Sequence, residues 1–168
     1  MAELREQLSV VAERVRRRST GRSERMTIKN KIMKVLLING SPRKQGNTFL
    51  ALSEVASALE KQGITTEIVS IGTKAVQGCI ACNKCGELGR CVFRDELYDT
   101  LHGKLAGADG LVVGSPTYYA GPNGSLCAIL DRLFYSAGEL LRFKPAAAVA
   151  VCRRGGASAT FDRLNKYF

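Results

Sequence analysis

From residue 33 onward, short apolar runs alternate with longer segments whose apolar residues recur at helical spacing, and this alternation constrains the fold more than any other feature. Residues 35–39 (Val-Leu-Leu-Ile-Asn) are a nearly continuous apolar run followed by turn chemistry, the pattern of a buried strand. Residues 47–61 place Leu50, Val55 and Leu59 at helical spacing and close at Gly63. The same reading predicts strands over 65–71, 110–114 and 146–152. It predicts helices over 95–106 and 124–141, and a last one starting at 157 and running to 168. Apolar strands separated by helices call for a parallel sheet covered on both faces, so the expected class is α/β and doubly wound. A length of 168 residues suits one domain whose core needs no disulfide staples.

Charge narrows the function classes. The formal net charge is +10, but residues 1–32 carry half of it, with nine Lys/Arg against four Asp/Glu. The tract over 14–22 (Arg-Val-Arg-Arg-Arg-Ser-Thr-Gly-Arg) offers an arm for polyanions. The plainer reading is a basic, flexible extension over 1–32 ahead of a compact domain over 33–168, which leaves nucleic acid out of the expected partners. No apolar run reaches the roughly 18–20 residues of a membrane span and no apolar signal region opens the chain, so the expected setting is the reducing cytoplasm with no membrane partner.

Four cysteines fall within thirteen residues: Cys79, Cys82, Cys85 and Cys91, spaced Cys-x2-Cys-x2-Cys-x5-Cys. That spacing puts four thiols on one short loop, as an iron–sulfur cluster requires. Zinc fits less well, because structural zinc sites draw ligand pairs from two knuckles and this chain has no second knuckle and one histidine, His102. A loop of bare thiols is the third alternative. Cys127 and Cys152 stand alone in apolar contexts and read as small core residues. His102 reads as a surface or capping residue, Asp131 and Arg132 as a structural ion pair, and Phe134 and Tyr135 as packing.

In open α/β sheets, ligands bind beyond the carboxyl ends of the strands. Three loops qualify. The first, 40–48 (Gly-Ser-Pro-Arg-Lys-Gln-Gly-Asn-Thr), combines Ser41, Asn47 and Thr48 as polar groups with Gly46 and a helix N-terminus, a setting that takes a phosphate. It is neither a Walker A loop nor a Gly-x-Gly-x-x-Gly turn, and an ordinary capped helix start is the alternative. The second, 114–124, holds the adjacent Tyr118 and Tyr119, which can flank a planar ring or simply pack at a strand end. The third, 153–157, supplies Gly155 and Gly156 beside two arginines. Together they suit flavin mononucleotide (FMN) better than a simple phosphate ester.

The stretches Ser41-Pro42-Arg43…Gly46-Asn47-Thr48, Ser115-Pro116-Thr117-Tyr118-Tyr119 and Leu130-Asp131-Arg132-Leu133-Phe134 resemble the NAD(P)H-dependent FMN reductases of the flavodoxin-like superfamily, and the cysteine loop is similar to that of the iron–sulfur flavoproteins. The resemblance covers residues 33–168. It implies a flavodoxin-like sheet of order 2-1-3-4-5 that here stops before its last strand and helix, leaving residues 146–152 as an apolar edge. It implies that Ser41, Arg43, Gly46, Asn47 and Thr48 hold the FMN phosphate. Pro116, Thr117, Tyr118, Tyr119 and Gly121 would border the ribityl chain and ring, with Gly155 and Gly156 on the far side. Cys79, Cys82, Cys85 and Cys91 would ligate a [4Fe–4S] cluster. The implied activity is a flavin-dependent oxidoreductase taking electrons from NAD(P)H and passing them to a cluster, a small molecule or a protein acceptor, with no side chain acting as acid or base. The alternative is a flavodoxin-like carrier without nicotinamide activity. A homodimer or larger assembly is expected.

Overall fold

The computed structural model describes residues 32–168, so the basic extension, apart from Ile32, lies outside the described residues. Four parallel strands form the sheet: β1 (Lys34–Asn39), β2 (Thr65–Ser70), β3 (Gly110–Tyr118) and, after a two-residue β4 (Gly121–Pro122), β5 (Ala146–Val151). The parallel order is β2-β1-β3-β5, with β4 pairing antiparallel to the end of β3. β1 is central, with Leu37 opposite Ile68 on one side and Val112 on the other. This is the expected α/β parallel sheet, and β5 stands at its end with β3 as its partner.

Alternation along the strands sends side chains to two cores. Leu37 and Val112 face α1 (Asn47–Glu60), whose Leu52, Val55, Ala56 and Leu59 recur on one side of the helix. Leu36, Ile38, Leu111 and Val113 face the opposite way. There they meet Tyr98, Leu101 and Leu105 of α3 (Glu96–Gly107) and Leu126, Ile129, Leu130 and Leu133 of α4 (Gly124–Ser136). A short α2 (Cys85–Leu88) lies inside the cysteine loop. α6 (Ala157–Asn165) closes the described fold with Leu164 in the second core.

Several boundaries differ from expectation. The predicted third helix over 124–141 is two: α4 stops at Ser136, and α5 (Gly138–Leu141) follows. The Ser136 hydroxyl donates to the Arg132 carbonyl at 2.6 Å, and Gly138 follows at once, two features that weaken a helix interior. The predicted 110–114 strand runs on to Tyr118, so half of the expected second loop is strand. The expected Asp131–Arg132 pair does not form. Asp131 accepts from the Tyr167 hydroxyl at 2.5 Å, while Arg132 turns to the other side of its helix and meets Asp95. Phe134 packs on Tyr167 and Phe168, but Tyr135 is exposed. Cys127 and Cys152 are half-buried rather than core. His102 is no plain surface residue, since its Nε2 is buried without a hydrogen-bond partner and its ring lies 5.5 Å from that of Tyr98.

Candidate functional site

Because the four strands are parallel, the segments after β1, β2, β3 and β5 all leave the same edge of the sheet. The loop after β1 is organised by Asn39, the one polar residue that ends an apolar strand. Fully buried, it accepts from the Ser41 N–H at 3.1 Å through Oδ1 and donates to the Ser70 hydroxyl at 3.1 Å through Nδ2. Ser41 Oγ in turn accepts from the Arg43 N–H at 3.2 Å. Gly40 donates its N–H to the Gly114 carbonyl at 2.7 Å, and a Cβ there would stand 2.7 Å from that same carbonyl oxygen and 2.4 Å from Leu126 Cδ2 of α4, so only glycine brings this loop so close to β3.

The loop ends at Gly46, the N-cap of α1, and no side chain caps the helix there. An uncapped N-terminus leaves N–H groups and the positive end of the helix dipole facing outward, which is the setting for an anion. Ser41 and Thr48 are buried beside it, and Arg43 and Asn47 are exposed. Thr48 is buried in the first turn of α1, at 2% exposure, whereas Asn47 and Arg43 lie open to solvent.

β3 carries the second part of the site. Pro116 and Thr117 are half-buried, Tyr118 and Tyr119 exposed. Thr117 Oγ1 is buried with no hydrogen-bond partner, an arrangement that costs about 1–3 kcal/mol unless something else fills it. The hairpin to Gly121 turns through Tyr119 (φ 50°) and Ala120 (φ 58°), two residues in the left-handed region that glycine or asparagine usually fills. Gly156 (φ 85°) closes against this turn. A Cβ on it would lie 2.8 Å from Ala120 Cα and 3.2 Å from Thr117 Cγ2. The structure thus brings the first loop against β3 and the third loop against the hairpin. Missed in the sequence reading were Asn39 and Ser115, the latter fully buried and accepting from the Asn123 N–H at 2.9 Å to hold the turn. A polar residue at or just after the predicted end of each apolar run, 35–39 and 110–114, was the available signal.

An orphaned hydroxyl, a helix N-terminus without a cap and a glycine-lined approach fit a phosphorylated, ring-bearing ligand such as FMN.

The cysteine loop leaves the same edge after β2. Cys79, Cys82, Cys85 and Cys91 line one small pocket with Ile80, Phe93, Arg132 and Tyr135 among their neighbours. Cys79 and Cys82 are exposed, Cys85 is half-buried and Cys91 is buried. Ala81 (φ 53°) and Asn83 (φ 58°) flank Cys82 in the left-handed region, and the Ala81 N–H donates to Cys79 Sγ at 3.4 Å. No disulfide ties these thiols, and among the described residues no three His, Cys, Asp or Glu are arranged to hold a metal ion. The fit to a cluster is thus one of donor chemistry and shared position: four soft sulfurs on one pocket, with N–H groups aimed at two of them.

Arg132, read from the sequence as the ion-pair partner of Asp131, is instead tied to the segment around the cysteines. Its side chain is wholly buried and pairs with Asp95 at 2.6 Å. It donates to Cys91 Sγ at 3.4 Å, to the Gln77 carbonyl at 3.4 Å and to the Phe93 carbonyl at 2.8 Å, and it stacks 4.8 Å from the Tyr98 ring centre. Burial opposes its charge, but the bonds to Cys91 and Asp95 prevail and raise its pKa. Burial likewise pushes the Asp95 carboxyl up, while the Tyr98 N–H and Arg132 hold it below the usual range.

Comparison with known proteins agrees with this architecture. An iron-sulfur flavoprotein of Methanocaldococcus jannaschii is 40% identical over 139 residues, which span 81% of this chain and 72% of that protein. An iron-sulfur flavoprotein of Methanosarcina thermophila is 31% identical over 139 residues, 80% of this chain and 72% of its own. Among solved structures, FerB, a flavoenzyme NAD(P)H:(acceptor) oxidoreductase of Paracoccus denitrificans, superposes with a TM-score of 0.60 at 19% identity, over 81% of this chain and 71% of its own, a likeness of fold. Residues 33–168 match the family described as NADPH-dependent FMN reductase. The chain therefore belongs to the NADPH-dependent FMN reductase family of flavin-dependent oxidoreductases.

Proposed function

We propose that this chain binds FMN across the carboxyl edge of β1, β3 and β5, accepts electrons from NAD(P)H, and passes them on through an iron–sulfur cluster at the cysteine loop. The observation that carries the flavin assignment is the uncapped N-terminus of α1 facing the same edge as the unpartnered Thr117 hydroxyl. Bound FMN supplies a two-electron hydride acceptor that can release electrons singly or in pairs.

The residues have simple tasks. The Asn39 side chain fixes Ser41 so that the loop N–H groups and the start of α1 meet the phosphate, with Arg43 and Asn47 reachable from solvent. Thr117 offers a hydroxyl to the ligand's polar chain, with Gly156 packed against the hairpin and Gly155 open beside it. Tyr118 and Tyr119, held outward by the strained turn, offer ring faces. Cys79, Cys82, Cys85 and Cys91 are the ligands for a cluster, a reading supported by the iron-sulfur flavoprotein relatives. Among the described residues the outer edge of β5 carries no strand, which supports association with a second copy or with a protein electron acceptor.

A comparison of FMN with riboflavin tests the phosphate assignment without any mutation. If the α1 N-terminus and its loop hold the phosphate, FMN binds at least about tenfold tighter, since charge-assisted hydrogen bonds contribute roughly 1.5–3 kcal/mol each. Equal affinity for the two in fluorescence titrations contradicts it.

A further inference from the structure

All of the contacts made by Arg132 through its guanidinium go to residues 77–98, the segment that carries and follows the cysteines. The residue sits on α4, a core helix, whereas residues 77–95 of the segment it grips are a mostly exposed loop with a single short helical turn, and only 96–98 belong to α3. Within that segment Cys91 is held twice. Its N–H donates to the Tyr98 hydroxyl at 2.8 Å, and its sulfur accepts from Arg132 Nε at 3.4 Å. None of the other three cysteines is buried. Cys91 is therefore the most firmly held thiol of the set, and the buried Arg132 guanidinium lies beside its sulfur.

Hydrogen bonds to ligand sulfurs and nearby charge are among the main determinants of a cluster's reduction potential. Reduction adds a negative charge, so a buried cation beside a ligand favours the reduced state. Asp95, the partner of Arg132, works in the opposite sense, and with its side chain 42% exposed it is the more hydrated of the two. Resting on the cluster reading above, we propose that Arg132 is a positioning residue that anchors Cys91 and raises the reduction potential of the iron–sulfur centre, with Asp95 as the counter-charge that trims the effect.

The test uses the full chain with FMN bound, reconstituted without oxygen with ferrous iron and sulfide. Bound iron, FMN content and the cluster's potential, by dye-mediated titration followed by electron paramagnetic resonance, are read for wild type, Arg132→Gln, Arg132→Lys and Asp95→Asn. Arg132→Gln is expected to lower the potential enough to change the reduced-to-oxidised ratio at least tenfold, about 59 mV for a one-electron couple. Arg132→Lys restores the charge and returns the ratio to within a few-fold of wild type. Asp95→Asn shifts it the other way, upward. If Arg132→Gln does not fold, as shown by lost FMN, the Asp95→Asn shift decides: a raised potential supports the proposal, and an unchanged or lowered one overturns it. A wild-type cluster whose potential neither variant moves overturns the proposal and leaves the cluster reading standing. A wild-type chain that takes up no iron and sulfide overturns the cluster reading and the proposal with it.

Discussion

Thr117 illustrates how a single residue separates folding from binding. Its hydroxyl is buried and unpaired in the protein alone, so removing it costs the unliganded fold nothing and relieves an unsatisfied polar group. In the complex, the same hydroxyl has a partner to lose. Thr117→Val, which keeps the shape, is expected to leave the melting temperature of FMN-free protein unchanged or higher while weakening FMN about 2- to 10-fold, a net hydrogen bond of roughly 0.5–1.5 kcal/mol. Calorimetry and flavin titration on the same preparation check it, and a destabilised FMN-free protein with normal FMN affinity contradicts it. Thr117 entered the sequence reading through the resemblance, in the stretch Ser115-Pro116-Thr117-Tyr118-Tyr119. The roles of Asn39 and Arg132 were not legible there, because each gains its importance from partners distant in the chain: Ser70 across the sheet for one, and Asp95 and the cysteine segment for the other.

Elements were read well where the pattern is regular. α1, β1 and β2 lie within a residue or so of their predicted limits, since apolar spacing and flanking glycines mark both ends. β3 was cut short because Ser115-Pro116-Thr117 reads as turn chemistry, whereas here those residues remain paired with Ala150 and Val151 of β5 and with Pro122 of β4. A pairing partner far along the chain overrode local preference. On β2, Glu67 is the element's electrostatic tie, bound by Lys104 of α3 and by Lys34 of β1 at 2.8 Å. Hydrogen bonds from Lys104 and then Lys34 hold its carboxyl below the usual range despite some burial. A carboxyl with a lowered folded pKa stabilises fully above its unfolded value, near 4.3, and loses that contribution as pH falls through the folded value. Partly exposed pairs of this kind contribute about 0.2–1 kcal/mol each. Glu67→Gln is expected to lower the melting temperature slightly at pH 7 and to narrow the gap to wild type below pH 4. Identical pH profiles for the two proteins contradict it.

At the scale of the molecule, one edge of a parallel sheet gathers the groups on which the proposed function rests: the α1 N-terminus, the Thr117–Gly121 hairpin, the glycines after β5 and the thiols after β2. That convergence was legible because strand polarity alone dictates it. The contacts that lock it were not, since the approach of Gly40 to Gly114 and of Gly156 to Ala120 depends on how closely two backbones pack. The proposed function requires that a flavin held at this edge accept electrons directly from a nicotinamide donor. The direct measurement is the visible spectrum of FMN-loaded protein on anaerobic addition of NADPH and, separately, NADH. The account predicts that at least one of the two bleaches the flavin band without any added protein; an FMN-loaded chain that neither nicotinamide reduces, but that a partner reductase does, contradicts it.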